Sequence, residues 1–363
     1  MKAASPRAIP PPRRVLVIPL RFIGDTVLSV PLIRALRQAF PDARIETMAS
    51  RLTAPLLANC PYLDAVFPEP KGVLACVYAL KGFDTVFLLR KSVSMALLAR
   101  LASVKTLVGY DKQRFPQPIG YRRWGCLLDR AAPYPSLRTQ TPQAEHHLGL
   151  LRACGVQARD TTLALWESED DHESMASILT EHGLEEAFQQ GDKLAAFHAS
   201  SASHGKAFPA ETFLPAIEAL LKAGMTVVCT GTTSDRAFYD AIAARLEECP
   251  APARWLNLAG QTTLGQSIAL LRRAHILLSV DSGPLHLAAA AQTPRIVGVF
   301  GPTNERQWGV YSPHSRFFPV YEALPCRPCY AKICSHNACR LTLDPARVKQ
   351  AVQSALADEA GAS

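Results

Sequence analysis

Short apolar runs alternate with amphipathic segments along this chain, and the two patterns predict strands and helices in turn. Residues 15–18 form a β-branched apolar run, as expected for a strand that is buried on both faces. Apolar residues recur at helical spacing over residues 27–40, which predicts a helix. Further strands are predicted at 44–49 and 84–89, and a helix at 94–102. Strands that alternate with helices indicate a doubly wound α/β domain with a parallel sheet.

The second half of the chain repeats this alternation. Strands are predicted at residues 194–199, 225–230, 276–280 and 295–300, and helices at residues 210–223, 235–246, 265–273 and 284–291. We expect a flexible tail at 1–12, an N-terminal α/β domain at 13–170, a polar linker around 157–192, a C-terminal α/β domain at 190–345, and a closing helix and tail at 345–363. The expected architecture is two Rossmann-like domains with a cleft between them, and ligands in such sheets bind outside the carboxyl ends of the strands.

The composition excludes several classes of protein. The chain has 363 residues, of which 48% are hydrophobic and 19% are charged, so it is not intrinsically disordered. No uncharged apolar run reaches the roughly 18–20 residues of a membrane span. The N-terminus is rich in Pro and Arg and lacks the apolar core of a signal peptide. We therefore expect a soluble, cytoplasmic protein.

Charge is distributed unevenly between the two halves. Residues 1–150 carry 21 Lys and Arg against 9 Asp and Glu, whereas residues 151–363 carry 18 against 22. The basic half favours an anionic partner, which could be a nucleic acid, an anionic membrane face or a phosphorylated substrate, unless it is only a solvated surface. Nucleic acid is disfavoured because the sequence has no motif of interleaved aromatic and basic residues and no helix-turn-helix signature.

In the first domain, the loop after the first strand carries a candidate catalytic group. Gly24 permits a tight turn beside a ligand, and Asp25 follows it directly. Asp25 either caps the following helix or acts as a general base that takes a proton from a hydroxyl group.

In the second domain, three polar segments follow predicted strands. His198 and Ser200 belong to a small polar loop that ends in Lys206, whose charge could meet a phosphate. Asp235, in the next loop, either caps a helix or accepts a hydrogen bond from a ribose hydroxyl.

The third segment passes from a buried strand directly into a helix. Asp281 is followed by Ser282, a natural N-cap, and by Gly283, which opens the first turn without a side chain. The exposed amides and the positive dipole end of such a helix form a site for a diphosphate. Pro284 is tolerated in the first turn but removes one amide donor, and His286 lies one turn further on.

The ten cysteines fall into two groups. Six are scattered, which is typical of reduced thiols in the cytosol. Cys326, Cys329, Cys334 and Cys339 are clustered with a spacing that begins like a metal site, and four thiolates could hold a structural zinc or iron ion. Disulfides in the isolated protein and free thiols are the alternatives.

Together these motifs resemble those of a known enzyme family. The stretch RVLVIPLRFIGDTVLSVPLIRALR at residues 14–37 resembles the opening motif of glycosyltransferase family 9, the ADP-heptose:lipopolysaccharide heptosyltransferases. LLSVDSGPLHLAAAAQTPRIVGVFGPTN at residues 277–304 resembles the donor-site signature of that family, and the closing DPARVKQAVQSAL is also similar. The likeness covers most of residues 13–357. It implies a GT-B fold and the inverting transfer of heptose from ADP-heptose to Kdo–lipid A or to heptosylated core.

The resemblance also implies roles for individual residues. Asp25 matches the catalytic base, Lys206 matches the lysine that meets the donor diphosphate, and Asp235 lies near the acidic residue that holds the ribose. Two departures from the usual pattern are the loop HASSASHGKAFP and Pro284, which replaces a leucine. No cofactor is expected, because a lysine and a helix dipole can stabilise the leaving group. The implied donor contacts are completed by Gly24, His198, Ser200, Asp281, Ser282, Gly283 and His286.

An anionic lipopolysaccharide acceptor would bind to the basic first domain. Arginine binds carboxylates and phosphates through paired donors, so the expected contacts are Lys91, Arg114, Arg122 and Arg123. The same surface favours peripheral contact with the cytoplasmic face of the inner membrane. Two alternatives remain open. One is another GT-B nucleotide-sugar enzyme, with a different sugar, a protein acceptor or an epimerase reaction; the other is a basic module that binds nucleic acid or metal.

Overall fold

The computed structural model describes residues 8–90, 92–111, 124–201, 204–246, 254–331 and 333–358. The chain divides into two compact units, Met1–Trp166 and Glu167–Ser363, each built around its own sheet. Among the described residues, no helix combines the length and the apolar character that crossing a bilayer requires.

The first unit is a parallel sheet of six strands in the order β3-β2-β1-β4-β5-β6. Its central strand is apolar and buried, which is what the β-branched sequence of that run predicts. The strands are β1 Arg14–Ile18, β2 Arg44–Ala49, β3 Ala65–Pro68, β4 Thr85–Leu88, β5 Thr106–Tyr110 and β6 Arg130–Ala132. The helices are α1 Ile23–Leu28, α2 Val30–Ala39, α3 Val73–Leu80, α4 Val93–Leu101 and α5 Gln143–Arg152.

The helix predicted at 27–40 is two helices in the structure. The first, α1, begins at Ile23, and the second, α2, carries Pro31 in its first turn. A continuous helix would need Pro31 to donate to the carbonyl of Val27, and proline has no N–H and clashes there. Because α1 starts early, Asp25 lies inside its first turn rather than before it.

The second unit has the same strand order, β12-β11-β10-β7-β8-β9, again all parallel. Its strands are β7 Leu194–His198, β8 Thr226–Cys229, β9 Trp255–Asn257, β10 Ile276–Val280, β11 Arg295–Phe300 and β12 Arg316–Tyr321. Its helices are α6 Glu169–Glu181, α7 Glu185–Gln189, α8 Leu214–Lys222, α9 Arg236–Arg245, α10 Leu264–Arg273, α11 Gly283–Ala290, α12 Glu305–Trp308, α13 Ala338–Leu341 and α14 Pro345–Ala357.

The segment expected to be a polar linker is largely helical. The helix α6 begins with a capping box in which Ser168 and Asp171 satisfy each other's backbone N–H groups. Three acidic residues in its first turn face the positive end of the helix dipole. Met175 and Leu179 are buried, and α6 packs on α10. The acidic composition thus marks a helix start of the second unit. At the other end of this unit, α14 packs on α8 and β12.

Candidate functional site

Each sheet reverses its strand order once, and a doubly wound sheet binds ligands at that reversal. In the first sheet the reversal lies between β1 and β4, and in the second it lies between β7 and β10. Asp25 follows β1, His198 ends β7, and Asp281 follows β10. The sequence-predicted residues therefore stand at the reversal of their own sheet.

The structure pairs Lys206 with Asp281, two residues predicted from separate segments. Lys206 Nζ lies 2.8 Å from Asp281 Oδ2, and the Asp281 side chain is 3% exposed. The Thr303 hydroxyl donates to the same carboxylate oxygen. Oδ2 of Asp281 is thus engaged twice within the protein, whereas the Lys206 side chain is 24% exposed and its ammonium has three donors. The pair holds a lysine in a fixed place with N–H groups to spare for an anion.

The helix α11 begins directly beside this pair. Ser282 is its N-cap in extended conformation, and the Ser282 hydroxyl donates to the carbonyl of Val280 at 3.3 Å rather than to the first turn. Gly283 opens the helix, and Pro284 removes one amide donor, as expected. In this turn the N–H of Leu285 donates to the carbonyl of Ser282 at 3.2 Å, whereas an N–H at the very start of a helix has no carbonyl to reach inside it and is suited to an anion.

His286 lies one turn into α11 and is buried. Burial lowers its pKa to about 4, with the nearby Asp281 opposing this shift and Lys206 adding to it. Its Nδ1 is buried without a hydrogen-bond partner among the described residues. A neutral imidazole beside the Lys206–Asp281 pair can accept or donate a hydrogen bond without adding charge.

His198 and Ser200 make contacts within the protein. His198 Nδ1 lies 2.8 Å from the carbonyl oxygen of Thr230, and Nε2 lies 2.9 Å from the carbonyl oxygen of Ser200. Burial lowers the pKa of His198, and the Ser200 hydroxyl lies 3.3 Å from Nε2. The imidazole thus joins the ends of β7 and β8 and fixes the start of the loop that leads to Lys206.

Asp235 closes a capping box with Thr232 around the short 3-10 turn Thr233–Asp235, and its side chain does not cap α9. Its Oδ2 accepts the backbone N–H of Thr232 at 2.6 Å and the Thr232 hydroxyl at 2.8 Å. A Cβ on Gly231 would lie 2.7 Å from the same oxygen, so a side chain there would displace the cap. The carboxylate is held at the carboxyl end of β8, beside β7.

Three functional residues of the second unit were missed from the sequence. Besides Thr303, they are two arginines of the cysteine-bearing segment. Arg327, 5% exposed, donates from Nη2 to the carbonyl of Thr303 at 2.8 Å and lies 4.5 Å from the ring centre of Tyr321. Arg340 donates to the carbonyl of Ala207, next to Lys206. The segment therefore braces both loops that hold the ion pair, and nothing local in the sequence signals these long-range contacts.

The clustered cysteines do not assemble the predicted metal site. All four are free thiols, with Cys326 and Cys329 exposed and Cys334 and Cys339 half-buried. Burial raises the pKa of the Cys339 thiol, and the neighbouring Cys329 adds to this. Within the described ranges, however, no three side chains of His, Cys, Asp or Glu are grouped so as to hold a metal ion. The buried guanidinium of Arg327 anchors the turn between the first two cysteines, and their thiols face outward.

In the first unit, Asp25 lies close to buried Tyr110 and half-buried Tyr134. Burial raises the pKa of Tyr110 and of Tyr134, and the charge of Asp25 raises both further. The Tyr110 hydroxyl lies 2.7 Å from His147 Nδ1, and burial lowers the pKa of His147 to about 3. Gly24 is buried in the same turn of α1. Asp25 is thus a carboxylate at the strand-order reversal with an aromatic wall beside it.

The four expected acceptor contacts, Lys91, Arg114, Arg122 and Arg123, lie outside the described residues. Other arginines of the basic first half lie within the described ranges. Two of them, Arg21 and Arg90, lie at the strand-order reversal, and both pair with Glu69.

Comparisons with known proteins agree with this arrangement. The sequence model of glycosyltransferase family 9 (heptosyltransferase) matches residues 78–339. Lipopolysaccharide heptosyltransferase 3 of Escherichia coli is 28% identical over 306 residues, covering 80% of this chain and 83% of the relative. Lipopolysaccharide heptosyltransferase 2 of Salmonella typhimurium is 27% identical over 310 residues, with the same two coverages.

A solved structure shares the fold. The E. coli ADP-heptose lps heptosyltransferase II superposes with a TM-score of 0.73 at 22% sequence identity, covering 95% of this chain and 99% of that chain. The expectation of two doubly wound sheets of the GT-B class is confirmed.

Proposed function

The chain belongs to glycosyltransferase family 9, and from this premise we propose that it transfers heptose from ADP-heptose to an inner-core lipopolysaccharide acceptor, Kdo–lipid A or heptosylated core. The observation that carries the proposal is the Lys206–Asp281 pair beside the uncapped start of α11. Both lie in the segment that the family model matches. The relatives named lipopolysaccharide heptosyltransferases support the choice of sugar and acceptor.

The second unit binds the donor in this proposal. The leaving ADP gains negative charge on its β-phosphate as the glycosidic bond breaks. Lys206 and the first-turn N–H groups at Ser282 and Gly283 stabilise that charge, and in many enzymes such electrostatic stabilisation supplies most of the rate enhancement. His286 contributes a neutral hydrogen bond, and Asp235 offers its second oxygen to the ribose. The step needs no covalent nucleophile and no cofactor.

The first unit supplies the base. Asp25 takes the proton of the acceptor hydroxyl as its oxygen attacks the anomeric carbon, and the bond to ADP breaks on the opposite face, which inverts the configuration. Asp25 precedes the segment that the family model matches, so its assignment depends on the opening motif and on its place at the strand-order reversal.

The basic half of the chain binds the acceptor and contacts the membrane in this proposal. Lys91, Arg114, Arg122 and Arg123 are proposed to meet the acidic groups of the acceptor, and the protein works at the cytoplasmic face of the inner membrane, where the lipid part of the acceptor is held. The cysteine segment has no part in the chemistry, since the reaction draws no step from those thiols.

Transfer followed by mass spectrometry tests the proposal. Purified protein is mixed with ADP-heptose and a panel of Kdo–lipid A and heptosylated core acceptors, with Asp25→Asn as the matched inactive control. A product heavier by one heptose, absent with the variant, supports the proposal and identifies the acceptor. If ADP binds but no acceptor gains mass, the sugar or acceptor is wrong. If ADP does not bind, the donor site itself is wrong.

A further inference from the structure

Two arginines share one carboxylate at the strand-order reversal of the first sheet. Glu69 accepts from Arg21 Nε at 2.9 Å and Nη2 at 2.8 Å, and from Arg90 Nη1 at 3.0 Å and Nη2 at 2.6 Å. Burial by itself would raise the pKa of Glu69, but the two guanidinium groups outweigh it and lower that pKa to about 2. We call this set the Glu69 triad; its glutamate stays ionised at any physiological pH.

The position of the triad is that of a ligand site. Arg21 follows β1, Glu69 follows β3, and Arg90 follows β4, so all three stand at the carboxyl ends of parallel strands. β1 and β4 flank the reversal itself. Asp25 stands on the same edge, in the turn that follows Arg21.

The triad has charge and donors in excess of its internal needs. Two cations face one anion, which leaves a net charge of +1. Glu69 uses two nitrogens of each arginine, and the side chain of Arg21 is 63% exposed. Arg90 Nε is buried without a hydrogen-bond partner among the described residues. Guanidinium groups held in this way are oriented in advance, so they lose little entropy when they bind an oxyanion.

A second triad in the same unit shows what a structural version looks like. Glu46 accepts from Arg14 Nη2 at 2.8 Å and from Arg44 Nε at 2.7 Å, both on one oxygen. Arg14 and Arg44 are the first residues of β1 and β2, at the opposite edge of the sheet, and Arg14 lies 4.4 Å from the ring centre of Phe83. Arg44 is 57% exposed, nearly as much as Arg21, so exposure does not separate the two sets. They differ in the edge of the sheet on which they stand: Arg14 and Arg44 support the start of two strands, whereas Arg21 and Arg90 follow strands at the edge where ligands bind.

We propose that Arg21 and Arg90, oriented by Glu69, form a binding subsite for an oxyanion of the acceptor, a phosphate or a carboxylate. This rests on the proposed function for the identity of the acceptor. The subsite lies in the first unit, at the same sheet edge as Asp25. It therefore orients the acceptor hydroxyl toward Asp25 and has no part in binding ADP.

The test compares Arg21→Gln with Arg44→Gln, which makes the same substitution in the structural triad. Loss of a charge-assisted pair of hydrogen bonds raises the acceptor KM about 10- to 100-fold for Arg21→Gln. The donor KM stays within about twofold, and Arg44→Gln changes neither. Arg21→Lys recovers part of the loss, since it restores charge but not the fork. Two results would overturn the subsite. One is an equal acceptor KM for the two Gln variants, and the other is a rise in the donor KM of Arg21→Gln as large as the rise in its acceptor KM.

Two further experiments distinguish a phosphate from a carboxylate ligand, and the subsite from the proposed function. With phosphatase-treated acceptor, a diminished effect of Arg21→Gln identifies a phosphate, and an undiminished one identifies a carboxylate. Independently of transfer, inorganic phosphate is titrated calorimetrically into ADP-saturated protein. Binding that Arg21→Gln loses and Arg44→Gln keeps supports the subsite even if the wild type transfers no heptose, which alone would refute the proposed function. Identical titrations for all three proteins refute the subsite.

Discussion

The two units place an aspartate at the same point of the same fold and surround it differently. Asp281, after β10, is almost fully buried and is bound by the ammonium of Lys206 and the hydroxyl of Thr303. Asp25, after β1, is half-buried in the first turn of α1 beside two tyrosines, and the segment around it carries no lysine.

This difference separates two chemical roles. Asp281 meets the ammonium of Lys206 and the hydroxyl of Thr303 through the same oxygen, Oδ2, so this carboxylate fixes the position of Lys206. Under the proposed function, Asp25 instead takes the proton of the acceptor hydroxyl. The proposed function thus gives the same strand–aspartate–helix pattern two roles, an anchor for Lys206 in the second unit and a base in the first.

Asp25→Asn gives the largest expected effect. The amide cannot take a proton, so kcat for heptose transfer falls about 10²- to 10⁴-fold, while ADP affinity measured by calorimetry is unchanged. Asp281→Asn is the matched variant, and it weakens ADP binding as well as turnover because it releases Lys206. Near-normal turnover by Asp25→Asn, or loss of ADP binding in both variants alike, would contradict the division of roles.

Lys206→Met ranks next. Removing the ammonium leaves the developing charge on the β-phosphate with only the α11 amides, so kcat falls about 10²- to 10³-fold and ADP binds more weakly. Lys222→Met is the control, because Lys222 pairs with Glu218 on an exposed helix face of the same unit. If steady-state assays find the two variants equally active, Lys206 does not meet the diphosphate.

Buried apolar strands and their local chemistry could be predicted from the sequence. β10 and β11 have the predicted bounds because four or more consecutive apolar or small residues form the body of each, as is typical of a strand that is buried on both faces. The start of α11 was also predictable, since Ser282, Gly283 and the strand before them form a local pattern. Short edge strands escaped prediction: β9 has three residues and β12 contains a proline.

The contacts that complete the donor site could not be predicted, because they join residues distant in sequence. Thr303 reaches Asp281 across 22 positions, and Arg327 reaches Thr303 across 24. The cysteine spacing left a metal site, disulfides and free thiols open, and the buried side chain in this segment is that of Arg327. A spacing pattern indicates which ligands are available and does not indicate which neighbour anchors the backbone.

Each unit also buries at least one histidine, His147 in the first and both His198 and His286 in the second, and the pH dependence of stability should reflect them. Burial lowers the pKa of His147 to about 3 and of His286 to about 4, so below pH 6.5 the unfolded chain binds protons that the folded chain does not. Stability therefore falls with falling pH, by about 1.4 kcal/mol per pH unit for each histidine between pH 6 and 5. Urea unfolding at several pH values measures this slope. His147→Gln and His286→Gln should each reduce this slope by the contribution of one histidine, about 1.4 kcal/mol per pH unit. If the slope of a variant is unchanged, the histidine it replaces is protonated in the folded protein.

Thr303→Val gives the smallest effect of the series. Valine keeps the shape but removes the hydroxyl that donates to Asp281, so the carboxylate loses one of its two restraints and Lys206 is held less firmly. The KM for ADP-heptose rises about tenfold, the equivalent of one hydrogen bond to a charged group. Thr293→Val is the matched control, since its buried hydroxyl donates to the carbonyl of Leu271 at 2.7 Å, outside the site. Both variants lower the free energy of unfolding, which urea titration measures, but only Thr303→Val changes donor KM. If the two variants change donor KM equally, the Thr303 hydroxyl stabilises the fold alone and the anchor consists of Lys206 and Asp281.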